Sequence, residues 1–198
     1  MFDHHRRRQI VACAMLRQLL ARHTGRALEQ LKWQLGPQGK PSLPCGPHFN
    51  LSHSEGYAVL ALDEHSELGV DLEDTRRRVE FLALARRFFS APEAGLVEVS
   101  ADPRRLFFQI WTAKEAYIKA LGSGLSHPLD QFTTCCPGRG WGLYDLSGQQ
   151  LDWELHRLPS PYAEVEAALV RRGAGPPRLE SVEVLPGGQW RSFPNCRT

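Results

Sequence analysis

The five cysteines include no C-x-x-C pair and, being odd in number, cannot all be paired, which argues against both a disulfide framework and a zinc site. A reducing compartment, the cytoplasm, is the expectation. No segment has the roughly 20 consecutive apolar residues needed to span a bilayer. No charge of one sign is in excess either: Lys and Arg number 24 against 22 Asp and Glu, whereas a nucleic-acid-binding domain is expected to be strongly basic. Neither nucleic acid nor a membrane is therefore an expected partner. Low-complexity tracts are missing too, since the 14 prolines and 17 glycines are distributed as turn signals. No internal repeat establishes a duplication.

What is present suits a folded globular chain. Hydrophobic residues make up 42% and charged residues 23% of 198 positions, enough for one large domain or two small ones. The stretch "HHRRRQIVACAML" has the outline of a signal peptide. Arg17 follows at once, however, and Ile10, Ala14, Leu16, Leu19 and Leu20 suit an amphipathic helix from about residue 3 to Thr24, capped by Gly25. "HFNLSH" and "YAVLAL" read as a hairpin, and "LGVDLE" as a third strand. "RVEFLALARRFF" has helical spacing, and Ser90 with Glu93 forms a capping box for the next helix. Asp102 as cap, Pro103 at the first position and Gly122 at the end bound the longest helix. Short strands follow in "LDQFTTCC", "GWGLYDL", "QLDWELHRL" and "YAEVEAALV", and the proline-rich tail after Gly173 is expected to be loose.

The segment "ELGVDLED" carries the first chemical signal. Leu68, Val70 and Leu72 alternate with Gly69, Asp71 and Glu73, so Asp71 and Glu73 share a strand face. Carboxylates about 6 to 7 Å apart repel by roughly 2 to 3 kcal/mol at an effective dielectric of about 20. Either water bathes that face or a cation sits on it. In "WTAKEAYIKALG", Glu115 and Lys119 stand four apart on a helix, with Lys114 adjacent to Glu115. The same helix is too apolar to be a free surface, which places the charged triplet at a packed boundary. His53 in "FNLSHS" and Lys40 in "GKP" mean little alone. Together, three carboxylates and several basic groups suit Mg²⁺, which prefers oxygen ligands and phosphate partners. A metal-assisted reaction at a diphosphate is the chemical hypothesis.

In order, "GKP", "FNLSHS", "GVDLE", "RFFS" and "WTAKEAYIKALGSGL" resemble the 4′-phosphopantetheinyl transferases of the surfactin-synthetase-activating type, over most of the chain from Arg8 to about Phe132. The resemblance implies an α+β fold of two similar halves, each a helix packed on a small antiparallel sheet, related by a pseudo-twofold. Residues 1–66 would be the N-terminal half, 67–180 the C-terminal half with the metal site at the interface, and 181–198 a tail. It implies a monomer that moves phosphopantetheine from coenzyme A to a serine of an apo acyl or peptidyl carrier protein and releases adenosine 3′,5′-bisphosphate. Asp71, Glu73 and Glu115 match the family's Mg²⁺ ligands. Lys114 and Lys119 would neutralise the phosphates, with Glu115 also able to accept the serine proton. Arg8, Arg17, Lys40, Ser52 and His53 match positions that hold coenzyme A. Family members usually carry a further basic segment ahead of the first helix; here Arg6 and Arg7 would substitute for it, or the start lies elsewhere. Arg76 to Arg78, Arg86 and Arg87 are candidate docking groups for an acidic carrier, against the alternative of solvated faces. Two other readings use the same residues: an Mg²⁺-dependent hydrolase of a nucleotide diphosphate, and a non-catalytic module that binds coenzyme A or a carrier.

Overall fold

Helix α1 (Phe2–Thr24) ends at Gly25, whose φ of 67° is the left-handed cap expected there. The computed structural model describes the backbone of residues 2–173, 182–184 and 190–192, and the side chains of residues 10–124 and 126–173. The inward stripe of α1 is Ala12, Leu16 and Leu20, spaced by four, with Leu16 and Leu20 packed against Leu31, Leu43 and Phe49. Ile10 and Ala14, assigned to the apolar face from the sequence, are exposed instead. After two short paired strands, β1 (Gln34–Leu35) and β2 (Pro41–Ser42), come β3 (His48–Ser54) and β4 (Tyr57–Asp63). They form the expected hairpin, paired from His48 with Asp63 to Ser54 with Tyr57 across a two-residue turn.

The remainder is built around one helix. It runs β5 (Leu68–Asp74), α2 (Phe81–Phe88), α3 (Ala91–Val99), α4 (Pro103–Leu121), β6 (Phe132–Cys136), β7 (Gly140–Asp145), β8 (Glu154–Leu158) and β9 (Val165–Arg171). Asp102 accepts from the Arg105 amide, Pro103 opens α4, and Gly122 closes it at φ 67°. Strands β5, β9 and β8 form one antiparallel sheet, and β6 pairs with β7. Ala113, Ala116, Tyr117 and Ile118 of α4 pack with Phe132, Leu143, Ala168 and Val170. The chain is thus α+β, with helices on small antiparallel sheets. In the tail, β10 (Val182–Val184) pairs with β11 (Trp190–Ser192); the rest of the tail lies outside the described residues. No helix among the described residues is long and apolar enough to cross a membrane.

Gly69 sets how closely β5 lies against α4. A Cβ there would overlap the Ala116 carbonyl oxygen and the Ala120 nitrogen, so only glycine lets strand backbone touch helix backbone. Gly69→Ala should destabilise the protein by about 1 to 3 kcal/mol, since neither backbone can yield without separating the two elements. Chemical denaturation of the variant checks this, and an unchanged midpoint would contradict the close packing.

Strand β3 runs beside β5 although the two belong to different sheets. Side chains bridge the seam. The Val70 amide donates to Asn50 Oδ1 at 2.8 Å, Ser52 Oγ to Asp71 Oδ1 at 2.7 Å, and Ser54 Oγ to Glu73 Oε2 at 2.7 Å. The alternating inward residues of β3 therefore fix its register against β5, as the period of two along a strand allows.

Candidate active site and metal centre

Asp71 and Glu73 lie on β5 and Glu115 on α4, the strand and helix that Gly69 brings into contact. Asp71 Oδ1 accepts from Ser52 at 2.7 Å and from Lys119 Nζ at 2.6 Å. Its other oxygen, Oδ2, is buried with no hydrogen-bond partner. Burial pushes the Asp71 carboxyl above the usual carboxylate range, with Lys119 and Ser52 pulling against it. Glu115 is pushed up to about 7, first by burial and then by the charge of Asp71, with Glu73 adding to it and Lys119 opposing. These shifts record negative charge crowded where water is scarce.

Lys119 is the basic group committed to this cluster. Besides Asp71 it donates to Ser52 Oγ at 3.0 Å and Val70 O at 3.4 Å. Its expected partner from helical spacing was Glu115, yet the direct ion pair is with Asp71 across the helix–strand interface. Glu73 accepts from both Ser54 and Arg77, the latter at 2.6 Å to each oxygen.

Lys114 is placed differently from Lys119. Read from the sequence as a phosphate-neutralising group, it is fully buried and ion-paired at 2.8 Å with Glu93, which is also fully buried. Lys114 Nζ further donates to Leu129 O at 2.7 Å and Phe132 O at 2.6 Å, and lies 4.2 Å from the Phe132 ring centroid. Glu93 accepts from Thr134 N and Oγ1 on one oxygen and from the Ser90 hydroxyl on the other. Every donor and acceptor of the pair is used, as a buried ion pair requires. Lys114 is an internal tie between α3, α4 and β6, and no anionic ligand can reach it there.

The other expected binding residues are dispersed. His53 is exposed at the end of β3, on the strand face opposite Ser52 and Ser54. Lys40 Nζ donates to Leu68 O at 2.9 Å and Ala120 O at 3.0 Å, joining the start of β5 to the end of α4, and burial lowers its pKa. Arg17 donates to Leu28 O at 2.9 Å and lies over Trp33. Ser52 is buried and spends its hydroxyl on Asp71. Arg8 lies outside the described side chains. Sequence reasoning missed Ser54, which the strand period from Ser52 could have found. It took Arg77 for a carrier-docking group, whereas the side chain pairs with Glu73, and it took Glu93 for a capping residue only.

Whether a divalent cation suits the carboxylates is decided by their donors. Among the described residues, no three His, Cys, Asp or Glu side chains are set to hold a metal ion as they stand. Yet Asp71 Oδ2 is a buried oxygen without a partner, and Glu115 is driven toward the neutral form first by burial and then by the charge of Asp71. An all-oxygen carboxylate set suits a hard ion such as Mg²⁺. The residues fit one, provided Glu73 exchanges its present partner.

Comparison with known proteins follows the same residues. The 4′-phosphopantetheinyl transferase superfamily matches positions 67–170, from the start of β5 into β9. A putative 4′-phosphopantetheinyl transferase of Synechocystis sp., slr0495, is 39% identical over 153 residues, covering 73% of this chain and 61% of its own length. The 4′-phosphopantetheinyl transferase HetI of Nostoc sp. is 37% identical over 132 residues, covering 63% of this chain and 56% of its own. The 4′-phosphopantetheinyl transferase psf-1 of Bacillus pumilus is 36% identical over 183 residues, 90% of this chain and 76% of its own. The chain therefore spans 61% and 56% of the length of the first two relatives.

Proposed function

Since the chain belongs to the 4′-phosphopantetheinyl transferase superfamily, we propose that it transfers the 4′-phosphopantetheine moiety of coenzyme A to a serine of an apo acyl or peptidyl carrier protein. Adenosine 3′,5′-bisphosphate leaves, and the reaction depends on Mg²⁺. The observation that carries this reading is the unpartnered, buried Oδ2 of Asp71 beside Glu73 and Glu115. Those three carboxylates would hold the ion. When bound, Mg²⁺ supplies polarisation of the diphosphate and neutralises its charge.

The protein's own groups divide the remaining work. The serine oxygen forms a bond to the phosphorus bearing the pantetheine arm, and the bond from that phosphorus to the departing nucleotide breaks. Glu115 is the carboxylate assigned to accept the serine proton. Lys119, held against Asp71, is the cation available to offset charge on the leaving phosphate. His53 is the exposed candidate for contact with coenzyme A, and Lys40 holds the β5–α4 junction. Ser52 acts through Asp71, orienting its carboxylate. Among the described residues Cys13, Cys45, Cys135 and Cys136 are free, which supports a reducing cytoplasmic setting, and the reading takes the protein as a monomer.

The test is release of adenosine 3′,5′-bisphosphate from coenzyme A with and without an apo carrier protein. Release that requires the carrier and stops at one equivalent per carrier is the expected result. Steady release without a carrier would identify a hydrolase, and binding of coenzyme A without release a binding module.

A further inference from the structure

Glu73 is the most encumbered of the three carboxylates. Arg77 Nη1 donates to both of its oxygens at 2.6 Å and Ser54 Oγ to Oε2 at 2.7 Å, while Asp71 keeps Oδ2 without a partner. An ion reaching Asp71 Oδ2 meets, at Glu73, a carboxylate whose two oxygens are already covered by a cation. We propose that Arg77 is a built-in counter-ion that occupies Glu73 until a divalent cation displaces it, so that guanidinium and metal compete for one carboxylate. This rests on the reading of Asp71, Glu73 and Glu115 as metal ligands.

The neighbouring arginine is tied to a different carboxylate. Arg76 is held by Asp74 through Nε and Nη2, at 3.0 and 2.7 Å, and reaches Glu164 at 3.4 Å. Arg77 has a side chain 43% exposed and borders an open cleft of about 390 Å³ lined by Glu55, Gly56, Tyr57, Asp74 and Arg76. The cleft gives the guanidinium a place to go, with Glu55 already part of its electrostatic surroundings. Arg77 is thus a positioning residue that sets the metal affinity of the site and keeps Glu73 oriented in the metal-free protein.

The experiment is Mn²⁺ binding to the full chain, followed by the electron paramagnetic resonance signal of free Mn²⁺. Arg77→Met should bind Mn²⁺ roughly three- to tenfold more tightly than the wild type, the range that loss of a competing, partly exposed ion pair allows. Arg77→Lys should fall between them, because one ammonium covers both carboxylate oxygens less well than a guanidinium. Arg78→Met removes the same charge one residue away and should change the affinity less than about twofold, in keeping with screening at the surface. If Arg77→Met binds no tighter than the wild type while Asp71→Asn loses binding, the counter-ion role is wrong and the metal site stands. If neither the wild type nor Arg77→Met takes up Mn²⁺, the metal reading falls and the inference falls with it.

Discussion

Glu115→Gln should reduce carrier modification by at least about a hundredfold and at the same time make the protein more stable above neutral pH. The two effects have one origin. Glu115 is held with its carboxyl near 7 by burial and by the charge of Asp71, while in the unfolded chain it returns to the ordinary value of 4.5. Between those two values the folded protein retains a proton that the unfolded chain has released. Stability therefore falls as pH rises through that window and stays lowered above it. Glutamine keeps the shape and removes the charge, so the variant should gain about 1 to 3 kcal/mol at pH 8 in the presence of a chelator and nothing at pH 4. Urea denaturation at the two pH values, beside the transfer assay, checks both halves. A variant that is inactive and also less stable at pH 8 would contradict the account, because Glu115 would then be a structural group.

Lys114→Met should have the opposite signature. Removing the ammonium leaves Glu93 fully buried beside no cation, a change expected to cost about 3 to 5 kcal/mol. It also strips the carbonyls of Leu129 and Phe132 of their donor. The double variant Lys114→Met with Glu93→Gln should recover part of the loss, since the uncompensated charge is gone while Thr134 keeps an acceptor. Denaturation curves of wild type, single and double variants decide it. A single-variant loss under about 1 kcal/mol would remove Lys114 from the framework.

The contrast between the lysines of α4 shows what a sequence discloses. Helix boundaries are local, so Asp102, Pro103 and Gly122 announce both ends of α4, and the hairpin of β3 and β4 follows from alternation on either side of a short turn. Asp71 and Glu73 declare themselves through the strand period. Facing is harder, because it depends on what packs opposite. Successive helical residues are separated by about 100°, so Lys114 and Glu115 point to different sides of α4. One side meets Glu93 on α3 and the other meets Asp71 on β5. No spacing rule states which. In α1 the sequence places Ile10 on the apolar face, whereas Ala12 is buried and Ile10 exposed. The pairing of Arg77 with Glu73 spans the end of β5 and the turn after it, where neither helical nor strand periodicity applies.

The central claim is tested most directly by the intact mass of an apo acyl carrier protein after incubation with this protein, coenzyme A and Mg²⁺, beside a sample containing EDTA. The account predicts a gain of one phosphopantetheine per carrier that EDTA abolishes. A carrier mass unchanged on both acyl and peptidyl carriers, with coenzyme A bound to the protein, would contradict it.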